Sequence, residues 1–190
     1  MRTFMLKPPR HLLAAAVLAA VGIVGCTIGL PPDVADLNVV DVANRFALNV
    51  PPGWTVRQVG GSTAAILLGP EPACPVGRSP DGVRPNLNVV VEPTAVTATL
   101  EQVVQSNRRR LEEFRGFTLL DFSPRALADG RRAHLITFEH NAFGRPLRQQ
   151  QLVVLARGKI YTLTATTSPE DFAANQPRFE TVWRSFRAGW

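Results

Sequence analysis

From residue 43 onward, eight short runs read as strands, the first with apolar side chains at every second position, and only two longer runs carry apolar residues at helical spacing. Alternation of period two marks half-buried strands, because successive side chains point to opposite faces of a sheet. The runs cover residues 45–50, 54–58, 63–68, 86–91, 117–122, 132–140, 147–157 and 160–166. Between them stand Pro51-Pro52-Gly53, Gly60-Gly61, Asp129-Gly130 and Gly158-Lys159, dipeptides and tripeptides whose φ preferences suit turns. Residues 141–146 make a slightly longer connection. Residues 69–85 hold five prolines, three glycines and Cys74. That composition predicts an exposed, irregular loop, long against the usual 4–6 residues.

The first helical run covers residues 100–115. Leu100, Val103, Val104, Leu111 and Phe114 share one face, while Gln102, Arg108, Arg109, Glu112 and Glu113 face away. Thr99 is placed to cap its start and Gly116 its end. Arg108 with Glu112, and Arg109 with Glu113, stand at the spacing of helical ion pairs. The second run opens at Ser168-Pro169-Glu170-Asp171 and carries the stripe Phe172, Phe179, Val182, Trp183 and Phe186. Pro177 lacks the N–H that a helix interior needs, so a break or kink is expected near Asn175. The order ββββ-α-ββββ-α predicts an α+β domain, a twisted antiparallel sheet covered by helices, over residues 43–190.

The start of the chain is of another kind. Arg2, Lys7 and Arg10 are basic, no acid precedes Asp33, and residues 12–25 are apolar or glycine throughout. A basic start followed by an apolar run is the pattern of a secretory signal peptide. The run closes on Ile23-Val24-Gly25-Cys26, the order of a bacterial lipobox, with Gly25 before the cleaved bond and Cys26 after it. The expected organisation is therefore a lipoprotein signal peptide at 1–25 and a lipidated Cys26 with a short tether over 26–42. The domain then stands outside the cytoplasm, held on a membrane by acyl chains on Cys26 at about 0.8 kcal/mol per buried methylene. The alternative is an uncleaved anchor, since residues 12–30 approach the length needed to cross a bilayer. The leader removes three of the 21 basic residues and none of the 15 acids, leaving 18 against 15. So small an excess, outside the cytoplasm, argues against a nucleic-acid partner.

Catalytic chemistry needs a nucleophile or base beside a positioned partner. Cys74 is the one thiol besides Cys26, and no histidine stands near it in sequence. His134 and His140 share a strand face but lie about 20 Å apart, too far to hold one metal. Glu139 points to the opposite face from His140. No serine elbow, zinc-binding helix or phosphate-binding glycine loop is present. Neither a cofactor nor a catalytic residue is predicted. Arg108-Arg109-Arg110 is the densest charge run, suited to solvent, lipid head groups or an acidic partner. Phe46, Trp54, Phe172, Trp183 and Phe186 are expected in the core.

Two phrases carry a family resemblance. Phe46-Ala47-Leu48-Asn49-Val50-Pro51-Pro52-Gly53-Trp54 stands near the start, and Phe179-Glu180-Thr181-Val182-Trp183-Arg184-Ser185-Phe186 near the end. Together with the element order they resemble the PsbP-like domain, and are similar to LpqN-type lipoproteins and DcrB-like envelope proteins, over roughly residues 43–187. The resemblance implies a twisted antiparallel sheet between helices and non-enzymatic work as an accessory, docking or ligand-holding subunit. The proline-rich loop with Cys74 departs from that pattern. The resulting expectation is a membrane-anchored binding or accessory module for an envelope protein or amphiphilic ligand. The competing expectation is an envelope enzyme using Cys74, His134 or His140. Replacing Cys26 by Ala should leave the leader uncleaved and the protein without acyl chains; intact mass and membrane fractionation read this, and an unchanged result contradicts the lipobox.

Overall fold

In a computed structural model of the chain, which describes residues 4–6, 32–59, 62–70 and 83–190, each of the eight expected runs forms a strand. They are β3 (Phe46–Leu48), β4 (Thr55–Gln58), β5 (Thr63–Leu68), β6 (Asn86–Pro93), β7 (Thr118–Ala126), β8 (Arg132–Ala142), β9 (Arg145–Ala156) and β10 (Lys159–Thr167). Both expected helices are present as α2 (Leu100–Leu111) and α3 (Phe172–Ser185). Four further short elements were not legible as periodic runs: β1 (Phe4–Leu6), α1 (Pro32–Ala35), β2 (Val39–Asp41) and β11 (Arg187–Ala188).

Seven strands make the main antiparallel sheet, in the order β4-β5-β6-β10-β9-β8-β7. β3 is not among them. It lies in a small second sheet, β1-β2-β3-β11. Pro51-Pro52-Gly53 makes this split, since Gly53 takes φ +77° and the Trp54 N–H closes the turn on the Pro51 carbonyl at 3.1 Å. The Tyr161 hydroxyl donates to the Asn44 carbonyl at 2.8 Å and ties the two sheets together.

The packed chain begins ahead of residue 43, in the stretch read as a tether. Val34, Leu37, Val39 and Val40 are buried, and Arg187 meets Asp33 at 3.3 Å. Two prolines and three aspartates gave this stretch the composition of a linker, but its apolar residues find partners in Ala47 and Trp190.

The helices cover opposite faces of the main sheet. On the α3 side Leu135, Leu152, Val154, Tyr161 and Leu163 meet Phe179, Val182 and Trp183. Phe46, Trp54, Phe172, Trp183 and Phe186 all lie in this core, with Trp54 edge-on to Phe179 at 6.0 Å. The Trp183 indole donates to Gln150 Oε1 at 2.8 Å, and the Gln150 amide donates to Thr137 Oγ1 at 3.1 Å, which pairs these three buried side chains. On the other side Val104 and Leu111 of α2 rest on Ile136, Phe138 and Val153.

Four local expectations change. Thr99 does cap α2, in a reciprocal box with Gln102, but the helix ends at Leu111 and Phe114 lies beyond it, 43% exposed. Arg108 pairs with Glu112 at 2.9 Å; the Arg109–Glu113 pair does not form. α3 opens at Phe172, four residues after Ser168, because Ser168 and Asp171 bond each other in a turn at 2.9 Å. It runs unbroken through Pro177. Near the N-terminus the missing N–H costs one bond, and aromatic burial on both sides of Pro177 outweighs it.

The β8–β9 connection is shorter than expected, a two-residue turn of Phe143 (φ +53°) and Gly144 (φ +75°). Both central residues being left-handed matches the twist of a hairpin, but that position favours Asn over a bulky side chain. Phe143 is wholly exposed, so nothing offsets the strain. Phe143→Asn should therefore raise unfolding stability by about 1 kcal/mol, measured by urea denaturation. Phe179→Ala, at a fully buried ring, should lower it by about 3–5 kcal/mol.

Candidate binding groove

Neutral polar residues of β6, β10 and β9 share the α2 face of the sheet. Their antiparallel registers align Asn88 with Thr164 and Gln151 in one row, and Asn86 with Thr166 and Gln149 in the next. A sheet face of amides and hydroxyls needs pairing where it is covered. Asn107 of α2 supplies part of it, donating to Gln151 Oε1 at 2.9 Å, and the Gln149 amide donates to Thr166 Oγ1 at 3.0 Å. Asn88 Oδ1 is buried with no partner.

The twelve residues of α2 span only part of this face. Beside the helix lies a groove of 570 Å³, floored by Val153, Ile160 and Thr162 and walled by Gln102, Val103, Ser106, Asn107 and Arg110 of α2. Ser62, Glu92, Pro93 and Thr94 form the opposite wall. Much hydrogen-bonding capacity here is unused. Gln102 accepts from the Thr99 N–H with Oε1, leaving its amide N–H groups free, and Asn107 keeps Oδ1. Ser106, Thr162, Glu92 and Arg110 make no side-chain hydrogen bond or ion pair among the described residues.

The arginine run divides accordingly. Arg108 lies over the Phe122 ring at 5.2 Å and pairs with Glu112, Arg109 faces solvent, and Arg110 borders the groove. Sequence spacing placed all three on one helix but not Arg110 beside a cavity. The groove itself went unread. Its signal was the polar alternation in Asn86-Leu87-Asn88 and Thr162-Leu163-Thr164-Ala165-Thr166, which acquires meaning only when β10 is known to pair with β6.

His134 and His140 both project from β8 toward α2, away from the groove. His134 lies 4.1 Å from the Phe122 ring, and its Nε2 is buried and unpaired. Burial holds its pKa below the usual histidine range, against the charges of Asp121 and Glu101. His140 stacks on Phe114 at 4.9 Å, and burial lowers its pKa against hydrogen bonds from the Asn141 backbone and Gln149. Glu139, next to His140 in sequence, and Asp121, whose charge acts on His134, have other partners. Glu139 faces the α3 side and accepts from Arg148 Nε at 2.9 Å, and Asp121 accepts from Ser123 Oγ at 2.8 Å. Gly25, Cys26 and Cys74 lie outside the described residues. Among the described residues, no three or more His, Cys, Asp or Glu side chains group as they would to hold a metal ion, and no helix is long and apolar enough to cross a membrane.

A seven-stranded antiparallel sheet with one helix on each face, preceded by a short β3-turn-β4 corner at Pro-x-Gly-Trp, defines an α+β class of small domain. The PsbP family matches residues 35–188, and the chain belongs to that family. No curated protein matches the sequence. Solved structures share the fold at low identity. Cyanobacterial PsbP from Synechocystis superposes with a TM-score of 0.58 at 18% identity, over 78% of this chain and 89% of that one. LpqN of Mycobacterium tuberculosis, described as involved in cell envelope biogenesis, gives 0.58 at 16% identity, over 76% and 83%. The Ran-binding protein Mog1p of Saccharomyces cerevisiae gives 0.50 at 11%, over 76% and 90%.

The histidines set an acid limit on stability. Each has a folded pKa below its unfolded value of about 6.5, so the unfolded state binds more protons as pH falls. The contribution is present above pH 6.5 and is lost as pH drops through the lower, folded value. His140→Phe should flatten the decline in melting temperature between about pH 6.5 and pH 5, followed by thermal denaturation across that range.

Proposed function

We propose that this PsbP family protein is a non-enzymatic binding or accessory module of the cell envelope, moored outside the cytoplasm by acyl chains on Cys26, and that it works through the groove beside α2. The observation that carries the reading is a built cavity whose walls hold several polar groups with unspent hydrogen bonds, while neither histidine is joined to an acid or nucleophile. Such a cavity recognises and holds. An enzyme built on Cys74, His134 or His140 would need a positioned partner for its base, and both histidines are spent on aromatic packing under α2.

The supporting features are of three kinds. The leader and lipobox supply export and anchorage. The likeness to LpqN supplies a relative described as involved in envelope biogenesis. The groove lies on the α2 face, and the chain from Cys26 reaches α1 by six residues, a span of at most about 20 Å. A module so tethered presents its groove to envelope components close to the bilayer, whether a protein or the head group of an amphiphile.

The test is fractionation joined to mass spectrometry of what remains bound. Native protein extracted in detergent should carry acyl chains on Cys26 and retain a recurring envelope component. Ser106→Leu, which fills the groove from α2, should lose that component while staying in the membrane fraction. A soluble, unacylated native protein contradicts the anchorage, and a component retained equally by the variant contradicts the groove.

A further inference from the structure

We infer that the groove beside α2 binds an uncharged, hydroxyl-rich ligand of the saccharide class; this rests on the proposed binding role of the same site. The argument begins with charge. The lining has one cation, Arg110, and one anion, Glu92, so it offers no net field to select an ionic ligand. A phosphate or carboxylate is ordinarily held by several cations or by a bidentate arginine free of a competing acid. Here a carboxylate faces the same space.

The remaining polar groups, Ser62, Thr94, Gln102, Ser106, Asn107 and Thr162, are neutral, and the Asn88 carbonyl oxygen is buried and unpartnered on the same sheet face. Amides and hydroxyls offer donors and acceptors in close alternation. A ligand satisfying them must also present both at short intervals, which is the property of vicinal hydroxyls. Arg110 and Glu92 fit as well, since a hydroxyl accepts from the first and donates to the second. Ile160 and Val103, both partly exposed in the lining, give an apolar patch for the C–H face of a sugar ring.

Other occupants fit less well. An acyl chain needs walls that are apolar throughout, and hydroxyl, amide and charged groups interrupt these. An extended peptide adds to a sheet through a free edge. β6 and β10 are paired on both sides, so the floor offers no edge.

The experiment titrates the full-length protein, extracted in a detergent without a sugar head group, with maltose, cellobiose and sucrose by calorimetry. Inorganic phosphate and glucuronate serve as charged comparisons. At least one neutral disaccharide should bind saturably, and more tightly than either charged probe. Ser106→Leu should weaken it about tenfold or more, and Arg110→Gln less. Leucine is a better helix former than serine, so α2 should stay intact, and circular dichroism checks this. The inference is overturned if no neutral sugar binds, if phosphate or glucuronate binds more tightly, or if Ser106→Leu leaves affinity unchanged. Recovery of the sugar unaltered after incubation keeps the binding-module role. Hydrolysed sugar would end that role while leaving the ligand class standing, so the two failures are distinguishable.

Discussion

The antiparallel pairing of β10 with β6 is the contact on which the rest of this structure depends. Eight consecutive residue pairs, from Lys159 opposite Pro93 to Thr166 opposite Asn86, join strands separated in sequence by α2 and the whole β7–β9 meander. Closing a connection of that length costs conformational entropy before any contact repays it. What repays it is burial on the α3 face, where Leu87, Val89 and Val91 of β6 stand beside Tyr161, Leu163 and Ala165 of β10. The β4–β5–β6 hairpins and the β7–β10 meander thereby become one sheet with a single apolar face for α3.

The same pairing creates the groove. With period two, burying the odd residues of β10 commits Thr162, Thr164 and Thr166 to the opposite face, beside Asn86 and Asn88. A slip of one residue would send these threonines into the aromatic core. Core and groove are thus two consequences of one register. The aromatic side is closed by α3 at full length, whereas α2 is short and covers mainly β8 and β9. Incomplete cover leaves hydrogen-bonding groups unspent along Ser106, Asn107 and Arg110. Left-handed backbone at non-glycine residues is confined, among the described residues, to the turns at Arg45, Phe143 and Arg157.

The histidines show how tertiary placement decides chemistry that residue type leaves open. On one strand and one face, they had the makings of a site. β7, β8 and the loop after α2 bring Phe122, Phe138 and Phe114 against them instead, and burial lowers their basicity. Glu139 and Asp121 turn to Arg148 and Ser123.

All eight strands and both long helices of the domain were legible in the sequence, because periodicity is written locally: a strand repeats every two residues wherever it ends up. The aromatic core of Phe46, Trp54, Phe172, Trp183 and Phe186 was legible for the same reason. The passage of α3 through Pro177 was not, since the burial that overrides the proline comes from distant strands. The separate small sheet, with Val34 to Val40 packed into it, was not either, since three-residue strands carry no period of their own. The groove was invisible for a deeper reason. Its members lie on β6, β9, β10 and α2, and strand order across a sheet is a matter of which long-range pairing buries the most apolar surface. The amino-acid order alone determined what each segment is; which polar face meets which helix, and where a cavity is left between them, was decided only when β10 found β6.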